Sequence, residues 1–82
     1  MGNNNEQTLT LTFKEGLVLN CLSFFAAGVG KVGIRNNCPN CMTAVVHWTP
    51  TVGTKEYNVP GHNQIIIDVE SQTGQLIGEQ PC

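Results

Sequence analysis

Cys38-Pro39-Asn40-Cys41-Met42-Thr43-Ala44-Val45-Val46-His47-Trp48-Thr49 is the stretch on which the fold turns. Two cysteines at C-x-x-C spacing fit three structures: a thiol-redox centre, a zinc knuckle or a cross-linked turn. The residues that follow separate them. A redox centre needs a helix opening at the first cysteine, whose positive end stabilises the thiolate. From Met42 onward, however, Met42, Ala44, Val46 and Trp48 fall on one side, and Thr43, Val45, His47 and Thr49 on the other. A period of two built from β-branched and aromatic residues predicts a half-buried strand. The redox helix therefore has nowhere to begin. A zinc knuckle would want glycine after the second cysteine and a second C-x-x-C, whereas Met42 stands there and no second pair exists. The expected reading is a cross-linked turn with no cofactor. The alternative is zinc held by Cys38 and Cys41 with two of Cys21, Cys82, His47 and His62.

Working outward, the alternation recurs. Thr8 to Phe13 reads T-L-T-L-T-F, with Leu9, Leu11 and Phe13 on one face. Leu17 to Phe25 is apolar on both faces except at Asn20 and Ser23, which predicts a central strand or one bending between two sheets. Lys31 to Arg35 is a short strand with Val32 and Ile34 together, and Lys55 to Val59 pairs Tyr57 with Val59. Gln64 to Val69 turns Ile65, Ile67 and Val69 inward, and Gln75 to Gly78 is a last short strand. Clusters of Gly, Pro, Asn and Ser separate these runs. The prediction is an all-β chain: residues 1–7 a disordered polar lead-in, and 8–82 one β-sandwich domain of about seven strands. Its connections would be Greek-key or immunoglobulin-like, with an open barrel as second choice. An antibody-type domain is disfavoured, because no Trp lies between a plausible pair of core-bridging cysteines in the usual order.

Composition narrows the function. The 82 residues are 12% charged, about half the share usual for soluble domains, and 24 Asn, Gln, Thr and Ser fill the gap. A net charge of −2 gives no basic footprint for nucleic acid. No apolar run approaches the ~20 residues of a membrane span. An even set of four cysteines in a small chain points to disulfides and an oxidising compartment: secreted, cell-surface or periplasmic. Residues Met1 to Asn5 lack the charged start and apolar stretch of a signal peptide, so an exported protein is expected to have lost its leader. The favoured pairing is Cys38–Cys41 with Cys21–Cys82, since Pro39 and Asn40 suit the centre of a turn. The rival is Cys21–Cys38 with Cys41–Cys82. Loop-closure entropy gives about 2 and about 4 kcal/mol for the first pairing and about 7 in total for the rival, and does not choose.

Other candidate chemistry is thin. Gly28-Val29-Gly30-Lys31-Val32-Gly33 matches G-x-G-x-x-G, but Pro39 forbids the helix that a dinucleotide site requires. No acid stands between Glu15 and Glu56 to hold a ribose, so a tight hairpin or bulge is expected there. Nothing local sets His47 or His62 beside Ser23 or Asp68 as a hydrolytic group. Asp68 and Glu70 share a strand face and are read as solvating it. Trp48 alternates with core residues and is expected inside; Tyr57 is the better exposed aromatic. The sequence thus predicts a non-catalytic binding or assembly module. Its partner would be a protein, a glycan or a second copy in a homo-oligomer. Its contact surface would be an exposed edge strand with Asn36, Asn37 and Asn40 of one turn and Tyr57, His62 and Asn63 of another loop.

Overall fold

The computed structural model describes residues 11–50, 53–69 and 72–82. The lead-in expected over residues 1–7 lies outside the described residues, as do the first three residues of the T-L-T-L-T-F strand and Glu70. Seven strands follow in chain order: β1 (Leu11–Phe13), β2 (Leu22–Gly28), β3 (Lys31–Asn36), β4 (Met42–Thr49), β5 (Gly53–Val59), β6 (Gln64–Asp68) and β7 (Thr73–Pro81). They form a four-stranded sheet ordered β1-β7-β4-β5 and a three-stranded sheet ordered β2-β3-β6. Only β1 and β7 pair in parallel. The all-β reading holds, and two separate sheets are consistent with a sandwich rather than the open barrel. No helix among the described residues is long and apolar enough to cross a membrane.

The core lies where the inner faces of both sheets meet. Leu11, Met42, Ala44, Val46, Trp48, Val59 and Leu76 come from the larger sheet, and Leu22, Val32, Ile34 and Ile67 from the smaller. Leu11, Ile34 and Leu76 are fully enclosed, each contributing roughly 1.5–3 kcal/mol of burial. The period-two pattern of β4 decides which side faces in: Met42, Ala44, Val46 and Trp48 are all buried. Trp48 fits because its cross-strand neighbours on both sides are glycines, Gly53 on β5 and Gly74 on β7. A Cβ on Gly74 would run into the indole ring.

The glycine-rich run is a hairpin with a bulge, as expected. β2 and β3 pair antiparallel with a register shift between Ala26 and Gly28, and Gly28 and Gly30 take positive φ of 136° and 70°. Gly33 serves a different purpose. The Phe25 ring lies across it on the outer face of the smaller sheet, where a Cβ would stand.

Two expectations are corrected. The strand predicted from Leu17 begins only at Leu22, and it is an edge strand, not a central one. The Leu17 N–H closes a turn onto the Lys14 carbonyl, and the amides of residues 20–22 are held by Glu79 instead of a neighbouring strand. Leu17 and Leu19 still pack against the core, which accounts for their apolar character. The disulfides are Cys21–Cys38 and Cys41–Cys82, with Cα–Cα separations of 5.2 and 5.4 Å, not the favoured pairing. The chain crosses from one sheet to the other between Cys38 and Cys41. Each cysteine therefore bonds to a neighbour in its own layer: Cys38 to Cys21 beside β2, and Cys41 to Cys82 at the end of β7. The Cys41–Cys82 bridge does span Trp48 in sequence, yet it joins two ends of one sheet and not two sheets. Two disulfides are consistent with an oxidising environment.

Candidate functional site

The 36–41 turn and the 60–63 turn meet at one end of the molecule, and Asn36 is what joins them. It is in phase with Val32 and Ile34 along β3, so its side chain enters the interior, fully buried. There its Nδ2 donates to the carbonyls of Asn40 at 2.6 Å and Val59 at 3.0 Å, and its Oδ1 accepts the Cys38 N–H at 2.9 Å. Its backbone N–H donates to the Asn63 carbonyl at 2.8 Å. A second strap runs from the His62 N–H to the Cys38 carbonyl at 2.9 Å. His62 sits at φ 56° in the turn closed by the Asn63 N–H on the Pro60 carbonyl. Gly61 has no room for a Cβ, because the Pro39 carbonyl occupies that place.

Asn36 was expected on the ligand surface and instead holds that surface together. The other residues of the set divide. Asn37, Asn40, His62 and Asn63 are exposed on this joined patch. Asn37 accepts from Arg35 Nε at 3.2 Å, and Asn63 Nδ2 donates to the Gly61 carbonyl at 3.1 Å. Among the described residues, the side chains of Asn40 and His62 make no hydrogen bond. The patch offers neutral amides and one imidazole, on backbone fixed by these hydrogen bonds and the nearby Cys21–Cys38 bridge.

Tyr57 stands apart from it. β5 leads into the 60–63 turn, but Tyr57 points to the inner side of that strand, opposite Ala44. Its hydroxyl accepts the Trp48 Nε1–H at 2.8 Å, and the two rings meet edge to face with centroids 6.5 Å apart. Lys55 Nζ lies 5.8 Å from the Tyr57 ring centre. With Asp68 and Val69 from the end of β6 and Gln72 from the turn before β7, these residues line a small cleft of about 110 Å³. It opens where the edge strands β5 and β6 face each other. Sequence reasoning found Trp48 and Tyr57 separately but missed Lys55, Asp68, Val69 and Gln72, which only the stacking of the two sheets assembles.

The remaining chemical groups are dispersed. His47 Nδ1 is 3.2 Å from the Thr54 hydroxyl, Asp68 pairs with Lys31, and Ser23 is 3.5 Å from Asn37 Nδ2. No histidine is brought to Ser23 or Asp68. All four cysteines are bridged, and no group of three or more His, Cys, Asp or Glu side chains that could hold a metal ion occurs among the described residues. No family model matches the chain, and neither a curated protein nor a solved structure matches it.

Proposed function

We propose that the chain is a non-catalytic binding and assembly module that works in a secreted or cell-surface setting. Its contact surface is an exposed edge strand together with the joined turns 36–40 and 60–63. One observation carries the reading: Asn36 spends every polar atom of its side chain on locking these two turns together, and leaves Asn37, Asn40, His62 and Asn63 facing solvent. A rigid, amide-rich patch loses little entropy on binding and suits partners recognised by hydrogen bonds, such as a glycan or a peptide backbone. The aromatic cleft, set apart from the patch along β5, offers Tyr57 as a second contact.

Glycan and peptide arrays probed with the oxidised protein test this. Tyr57→Ala is expected to weaken a hit by about tenfold, since an aromatic contact and its hydroxyl are lost together. An unaffected Tyr57→Ala variant removes the cleft from the site, and an Asn40→Ala/His62→Ala variant that binds as well as wild type removes the turn patch. The alternative of a zinc domain centred on Cys38 and Cys41 needs both bridges open. Metal analysis of protein purified without a histidine tag decides it: one zinc with four free thiols overturns the binding reading.

A further inference from the structure

The four sheet edges are not alike. β1 is only three residues long. β5 carries Lys55 and Glu56 at its centre, and β6 ends at Asp68 in the ion pair with Lys31. β2 is different: Leu22-Ser23-Phe24-Phe25-Ala26-Ala27-Gly28 holds no charge and no proline. Its other side pairs with no strand among the described residues. Natural sheets blunt such an edge with charges, and among the described residues this one is left open.

The register shows which backbone groups are unspent. The Asn37 N–H bonds the Cys21 carbonyl, so odd-numbered residues of β2 face β3 and even-numbered ones face outward. Glu79 takes the outward Leu22 N–H. Phe24 and Ala26 remain, each with an N–H and a C=O turned to the edge.

We propose that this edge pairs with the β2 edge of a second copy, antiparallel about a two-fold axis at Phe25. The proposal rests on the assembly reading above and names its partner. A two-fold antiparallel pairing must centre on a residue, because outward groups recur every second position. Phe25 is the midpoint of β2. That register sets Phe24 against Ala26 of the other copy, and the converse, giving four backbone hydrogen bonds and one sheet of six strands. The Phe25 side chains come directly opposite each other on the outer face. There each ring already covers Gly33, with Ile66, half exposed, in the next strand of the same row. The two half-stripes Phe25–Gly33–Ile66 become one continuous apolar band.

Charge permits it. The nearest ionised groups in adjoining rows are Arg35 of one copy and Lys31 of the other. They lie three strand spacings apart, about 14 Å, which is beyond the Debye length at physiological salt. The matching register of β5 centres on Glu56 and opposes it to itself, which is unfavourable. β6 is two residues shorter, and its far end borders the aromatic cleft.

The test is sedimentation equilibrium and native mass spectrometry of the oxidised protein with Phe25→Lys and Phe25→Glu, apart and mixed. Wild type is expected to dimerise. Each variant alone, with like charges at the two-fold, is expected to associate at least roughly tenfold more weakly. The equimolar mixture is expected to recover dimers with one chain of each kind. Circular dichroism reports whether the variants fold. If they do not, Ala26→Pro decides, since it removes an outward amide and none facing β3. Wild type that stays monomeric at millimolar concentration overturns the proposal, while array hits would still stand for the binding reading. A dimer that survives both Phe25 variants, or Ala26→Pro, overturns the β2 pairing and moves assembly to another edge.

Discussion

An asparagine inside a protein is tolerated only when its donors and acceptor are occupied, and Asn36 meets that condition with three backbone partners on two turns. Removing the side chain leaves the carbonyls of Asn40 and Val59 and the N–H of Cys38 without it, in a place water reaches poorly. Asn36→Ala is expected to cost about 3 kcal/mol, read from urea unfolding with both disulfides intact. Asn36→Asp should be worse, since a carboxylate would face carbonyl oxygens. The sequence carried a signal for this. Asn36 continues the phase of Val32 and Ile34, and phase says inside. Its place among turn formers argued for the surface, and that argument ignored the period. Tyr57 was half legible in the same way. Its pairing with Val59 on one face was readable, but the Trp48 Nε1–H that seeks its hydroxyl comes from a neighbouring strand.

At the scale of elements, β7 does more than pair. Its Glu79 reaches over to the chain entering β2 and accepts the N–H groups of Asn20 at 2.9 Å, Cys21 at 3.2 Å and Leu22 at 3.0 Å. One carboxylate thereby ties the larger sheet to the start of the smaller. Glu79→Ala is expected to cost about 2 kcal/mol, and Glu79→Gln about half of that, because one carbonyl acceptor remains; thermal unfolding of the oxidised variants measures both. Nothing local in Gly78-Glu79-Gln80 announces this role, because the partners lie 57 to 59 residues away in the chain. Strands such as β4 were legible because half-burial writes a period of two. β2 was not, because Leu17 and Leu19 are apolar for packing against the core without belonging to a ladder. The hairpin at Gly28–Gly30 was legible from its glycines, since positive φ has few other sources.

For the molecule as a whole, the cysteine pairing was the least legible feature. It depends on which strand ends lie side by side, and turn chemistry at Pro39-Asn40 spoke only for the local option. The observed bridges close loops with separations of 17 and 41 residues. Cys21→Ser/Cys38→Ser is expected to lose about 3 kcal/mol and Cys41→Ser/Cys82→Ser about 4, from guanidinium unfolding midpoints of each double variant. Both covalent links run within a layer, Cys21–Cys38 in one and Cys41–Cys82 in the other. Against sliding of one layer over the other, the molecule therefore relies on its apolar filling, its chain crossovers, the Asn36 lock and the Glu79 strap. An oxidised chain pulled or heated past its limit would delaminate: two stitched plies would part while their own seams stayed closed, and reclosing them would need no thiol chemistry.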